Sequence, residues 1–82
     1  LVKSNAETGE GYSDISIRMP DRTGIVIELK YADDGNLEAA CGEALKQIEE
    51  KKYAEGLKRH GMKKIIKYGI AFYEKDCMVV MA

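Results

Sequence analysis

Asp14-Ile15-Ser16-Ile17-Arg18-Met19, then Pro20-Asp21-Arg22-Thr23-Gly24, then Ile25-Val26-Ile27-Glu28-Leu29-Lys30 run on without interruption. Two runs rich in β-branched residues flank a Pro/Asp/Gly cluster, the pattern of two strands joined by a turn. The odd positions Ile15, Ile17, Met19, Ile25, Ile27 and Leu29 are apolar, whereas the even ones carry Asp14, Ser16, Arg18, Glu28 and Lys30, with only Val26 apolar. Side chains alternate faces along a strand, so one face of the ribbon is greasy and the other bears the charges. A turn centred near Arg22 sets Asp14 opposite Lys30 and one diagonal step from Glu28. Such neighbours have Cβ atoms about 4.5–8 Å apart.

Two carboxylates and an ammonium on one patch suit a divalent metal. Mg²⁺ takes one or two protein carboxylates and fills its other positions with water and substrate phosphate. Asp14 and Glu28 are the candidate ligands, the backbone carbonyl of Leu29 a further one, and Lys30 the group that steadies a nucleophile or developing phosphorane charge. The competing reading is an ordinary amphipathic hairpin whose charged face is simply wet.

The 82 residues make one small domain, able to bury about 60–65% of its unfolded surface. Starting at Leu1 and stopping at Met81-Ala82 after an apolar run, it reads as a domain excised from a longer protein. With no run of eighteen apolar residues and no signal-peptide pattern, it reads as a soluble, cytoplasmic chain with no membrane partner. Cys41 and Cys77 match no metal or redox spacing and read as buried free thiols.

A net charge of −1 hides an asymmetry. Residues 1–50 carry 5 Lys/Arg against 11 Asp/Glu, and residues 51–67 carry 7 basic residues against Glu55 alone. Within this basic cluster Lys51, Lys52, Lys58 and Arg59 are candidates for meeting a nucleic-acid backbone. A solvated helix end rich in lysine has the same composition.

Before the hairpin, Leu1–Asn5 is a candidate short strand, and Glu7-Thr8-Gly9-Glu10-Gly11 a turn. After it, Tyr31–Asn36 is a loop with Asn36 or Asp34 as the helix N-cap. Leu37, Ala40, Cys41, Ala44, Leu45 and Ile48 recur at three- and four-residue steps, so a helix runs from Leu37 to Tyr53 or beyond, ending near His60. Lys64–Tyr73 is a further strand, Glu74-Lys75-Asp76 a tight turn and Cys77–Met81 the last strand. The fold class is α/β, a mixed sheet with β-β-β-α-β-β order, its third and fourth strands parallel across the helical crossover.

Ser13-Asp14 followed by Ile27-Glu28-Leu29-Lys30 resembles the PD-(D/E)XK nuclease superfamily, with Ser13 where the motif has proline. The order of elements resembles that restriction-endonuclease-like core without its first helix. Ser4–Gly9, Gly11–Ile15, Ala44–Tyr53 and Lys64–Phe72 together resemble a bacterial branch found C-terminal to an AAA-ATPase-like module. The resemblance implies a Mg²⁺-dependent nuclease (Mn²⁺ substituting) acting on nucleic acid, most readily DNA, with an N-terminal ATPase-like domain in the intact protein. It implies a supporting catalytic role for Gln47, with Tyr53 beside it as a core-edge aromatic. Glu7 or Glu10 would replace an acid that many members carry on the first helix, and Tyr12 stands where relatives often carry a basic residue. The rival class is a silent module that binds nucleic acid or protein without cutting. With one helix serving four or five strands, the isolated domain is expected to self-associate or expose an apolar patch.

Overall fold

Pro20 and Asp21 reverse the chain in a three-residue loop. The Arg22 N–H donates to the Met19 carbonyl at 3.0 Å, and the Met19 N–H donates to the Thr23 carbonyl at 2.9 Å. Proline suits the first corner of such a turn, and Arg22 follows in the left-handed region at φ 68°. Asp21 Oδ1 accepts from the Thr23 N–H at 3.0 Å and locks the exit. The computed structural model describes the main chain of residues 2–7 and 12–82, and the side chains from Ser13 onward. The greater part of the proposed Glu7–Gly11 turn, with Glu10, lies outside the described residues.

The strands β1 (Val2–Glu7), β2 (Tyr12–Arg18) and β3 (Thr23–Tyr31) form an antiparallel meander. Helices α1 (Leu37–Glu50) and α2 (Tyr53–Arg59) then cross over to β4 (Lys64–Tyr73), which runs parallel to β3. A reversal at Glu74 leads into β5 (Asp76–Met81), antiparallel to β4. The result is a five-stranded mixed sheet in the order β1-β2-β3-β4-β5. The parallel crossover and the extent of β4 agree with the sequence reading, and β1 continues to Glu7, two residues beyond its expected end.

Asn36 is the cap that α1 uses: its Oδ1 accepts from the Ala39 N–H at 3.1 Å. Ala40, Cys41, Ala44 and Ile48 are buried, as their spacing requires. Small residues bring α1 close to the sheet. A Cβ on Gly69 would lie 2.7 Å from the Cys41 carbonyl oxygen, so only glycine fits beneath the helix there.

The helix expected to run on past Tyr53 is broken instead. Lys51 closes α1, and Lys52 takes a left-handed conformation at φ 56° before α2 begins. At about 100° per residue, Ile48 and Leu57 would point to opposite sides of a continuous helix. Both nevertheless pack with Val26 in one buried cluster, and the break makes this possible. Helix α2 does end at His60 as expected. The Met62 N–H donates to the Leu57 carbonyl and the Gly61 N–H to the Lys58 carbonyl, with Gly61 at φ 89°.

Both helices lie on the face that holds Gly24, Val26, Glu28, Gly69 and Ala71, all buried. The charge-bearing face of the hairpin is therefore the covered one, against the reading of a merely wet face. The opposite face carries Ile15, Ile17, Ile25, Ile27, Leu29, Ile66 and Ile70, each only partly buried. Phe72, Val79 and Met81 are exposed at its far end. No helix or strand among the described residues covers it. Cys41 is buried and its thiol donates to the Met78 carbonyl, but Cys77 is exposed, correcting the expectation of two buried thiols. It sits on the edge strand, in the row that no helix reaches. No helix among the described residues is long and apolar enough to cross a membrane.

Candidate active site

Register decides which charges meet. Because the loop centres on Asp21 rather than Arg22, Asp14 pairs directly with Glu28, and Lys30 pairs with Tyr12. The expected Asp14–Lys30 opposition is replaced by two carboxylates side by side, with Lys30 on the diagonal. Opposed residues in an antiparallel pair have Cβ atoms about 4.5–5.5 Å apart. The shared even parity of the three residues puts them on one face, away from Ile27 and Leu29.

Helix cover makes this pair unusual. Asp14 is 4% exposed and Glu28 0%. Buried charge is tolerated only beside partners that replace the lost water. The broken helix supplies them. Tyr53, the first residue of α2, donates its hydroxyl to Asp14 Oδ2 at 2.6 Å. The Lys51 ammonium, from the cap of α1, lies 3.8 Å from Glu28 Oε1 and 5.9 Å from the centre of the Tyr53 ring. A continuous helix would turn these two side chains, two residues apart, about 200° away from each other. The left-handed Lys52 between them lets one helix junction address both acids.

Lys30 Nζ lies 3.6 Å from Glu43 Oε2 on α1. Glu43, Gln47 and Lys51 recur at four-residue steps, so they form one stripe along the margin of the α1 core face. Gln47 is half-buried in that stripe. Leu29 lies in the central β3, opposite Ser13 on one side and Ile70 on the other. Lys52 and Arg59 line a cleft with Arg18 and Tyr53, whereas Lys58 lines a different one with Lys63 and Lys67. The basic run 51–59 thus divides between two surfaces. Sequence reasoning missed Glu43 as the partner of Lys30, and missed Lys51 and Tyr53 as partners of the acids. The four-residue spacing held the signal for Glu43, and the local sign of the helix break is the apolar stripe falling out of phase between Ile48 and Leu57.

Among the described residues, no three or more His, Cys, Asp or Glu side chains gather as a metal-holding group. Two adjacent carboxylates with almost no solvent exposure still fit a hard cation that needs only one or two such ligands. The pair lies between clefts of opposite character. Lys30, Asp33, Asp34 and Glu43 line the one beyond Lys30, and Ser16, Arg18, Lys51 and Lys52 are among those lining the other.

The family model of the PD-(D/E)XK nuclease superfamily matches residues 1–82. No curated protein and no solved structure matches the chain. A match along the whole sequence, on an α/β domain that sets the Asp and Glu of Asp-x(13)-Glu-x-Lys side by side, means that the chain belongs to the PD-(D/E)XK nuclease superfamily, whose members are usually nucleases.

Proposed function

We propose that this domain is a metal-dependent nuclease that hydrolyses phosphodiester bonds of nucleic acid, DNA in the first instance. The observation that carries the reading is the direct Asp14–Glu28 pair, buried under the α1–α2 junction. Nothing in folding calls for two buried carboxylates side by side, since like charges in a low dielectric repel. Asp14 and Glu28, with the Leu29 carbonyl, would hold Mg²⁺ or Mn²⁺, which when bound supplies Lewis acidity and an activated water. Tyr53 keeps the Asp14 carboxylate oriented. Lys30 and Lys51 provide ammonium groups for charge developing on the phosphoryl oxygens. Gln47 stands between Glu43 and Lys51 on the same stripe and supports the lysines. Lys52 and Arg59 contact the strand. In the intact protein we place an ATPase-like domain on the N-terminal side, as in the bacterial branch that the chain resembles.

A second reading has one observation in its favour. Both acids already have protein partners, which is how a domain retained only for binding would stabilise buried charge. Cleavage of labelled DNA with Mg²⁺ or Mn²⁺, compared with Asp14→Asn and Glu28→Gln, separates the two. The nuclease reading expects cleavage that each substitution abolishes. It also expects Mn²⁺ to raise the melting temperature of the wild type and not of the double carboxylate variant. A ligand at a hundredfold excess over Kd stabilises by about 2.7 kcal/mol. Equal melting shifts for both proteins, with no cleavage, would hand the site to the binding module.

A further inference from the structure

The cleft on the Arg18 side of the acid pair gathers cations from both β2 and the helix junction. It encloses about 250 Å³ and is lined by Ser16, Arg18, Lys51, Lys52, Tyr53 and Arg59, with Gly56, Leu57 and His60 completing the α2 wall. Four of these residues are cationic and none is acidic. The cleft on the other side of the pair carries three acids against Lys30. The buried carboxylates therefore sit on a boundary, with strongly positive ground on one side only.

The cleft is also continuous with the pair. Asp14, Ser16 and Arg18 are successive members of one row on β2, about 7 Å apart at strand rise. Its roof is the helix junction, whose Lys51 and Tyr53 both reach the acids and line the cleft. Lys52 projects there from a left-handed main chain. A non-glycine residue in that conformation is strained, and such strain is kept where the surroundings or function require it.

We propose that this cleft is a phosphate subsite that holds a non-scissile phosphate of the nucleic-acid strand. Arg18 and Arg59 would be its forked donors, with Ser16 and Lys52 beside them. A planar guanidinium matches two phosphate oxygens at once. The strand then runs along β2 under α2 and delivers the neighbouring phosphate to Asp14 and Glu28. The acidic cleft beyond Lys30 repels the same strand, so the direction of approach is one-sided. This assignment rests on the nuclease reading for its geometry, but binding tests it without turnover.

The test is fluorescence anisotropy of a labelled 16-nucleotide DNA, single-stranded and duplex, titrated with protein in EDTA at several salt concentrations. Arg18→Gln and Arg59→Gln are each expected to weaken binding about 3- to 10-fold. Their combination should flatten the slope of log K against log salt by about 1.5–2, since each lost phosphate contact removes roughly one unit. Lys58→Gln, on the same helix but in another cleft, should stay within about twofold of wild type. Inorganic phosphate competing as well as an equal concentration of DNA phosphate would reveal a free-anion site and overturn the strand assignment. The proposal also falls if wild type does not bind at low salt, or if Lys58→Gln weakens binding as much as the arginine variants. Arg59 is exposed, so its variant decides the matter even if Arg18→Gln unfolds. Loss of binding in the arginine variants without cleavage by wild type would keep the subsite and sink the nuclease reading.

Discussion

Glu28 has no solvent exposure, so its charge depends on what the fold sets beside it. The Lys51 ammonium at 3.8 Å is its cationic neighbour, and Asp14 its opposed carboxylate. Removing one member of a buried pair leaves the other uncompensated and is costly, but Lys51 keeps 21% of its side chain in water, which reduces the cost. Lys51→Met should therefore destabilise the metal-free domain by about 1 kcal/mol. In a Glu28→Gln background the same substitution should cost only a few tenths, and the difference is the coupling between the two groups. Thermal melting of the four proteins measures it, and equal costs in both backgrounds would mean that Lys51 does not serve Glu28. Parity along the strands made Asp14, Glu28 and Lys30 legible as one charged patch. Their order across the sheet was not legible, because it turns on whether Asp21 or Arg22 is the centre of the loop, a choice settled by two main-chain hydrogen bonds.

At the level of elements, the α1–α2 junction does two jobs at one point. It returns Leu57 to the Val26 and Ile48 cluster and aims Lys51 and Tyr53 at the acids. Lysines 51 and 52 are good helix formers, so propensity alone extends the helix through them. The apolar stripe carries the contrary signal. It runs through Leu37, Ala44 and Ile48, then resumes at Ala54 and Leu57 out of phase. Glycine at position 52 relieves the left-handed strain, partly offset by its greater freedom in the unfolded chain. Lys52→Gly should thus be more stable than Lys52→Ala, by up to about 1 kcal/mol in urea denaturation. If Lys52→Ala proves the more stable, the junction is not held in the left-handed conformation in solution.

At the scale of the whole molecule, one face of the sheet is packed and the other is left uncovered by the described residues. Val26, Ala71 and the α1 stripe form the core, while Ile15, Ile27, Leu29, Ile66 and Ile70 are only partly buried, and Val79 and Met81 are exposed at 54% and 66%. An apolar surface of this extent does not stay bare in water without consequence. The 82-residue chain is expected to bind a hydrophobic dye under native conditions, or to sediment above the monomer mass as its own face pairs. A strictly monomeric species that leaves the dye fluorescence unchanged would contradict the open face.

Alternation, helical spacing and turn chemistry are local, and each was readable in order along the chain. They determined the five strands, the β3–β4 crossover, a cap at Asn36 or Asp34, the α1 core stripe, the helix end near His60 and the common face of Asp14, Glu28 and Lys30. Three features needed the tertiary structure: the Asp14–Glu28 opposition, the break at Lys52, and the burial of the charged face rather than the apolar one. Each depends on contacts between residues far apart in sequence. Gly24 and Gly69 let the helices approach closely on the charged side, and Ile48 and Leu57 can share Val26 only if the helix turns. Local propensity cannot weigh such contacts, because their free energy exists only once the distant surfaces have met.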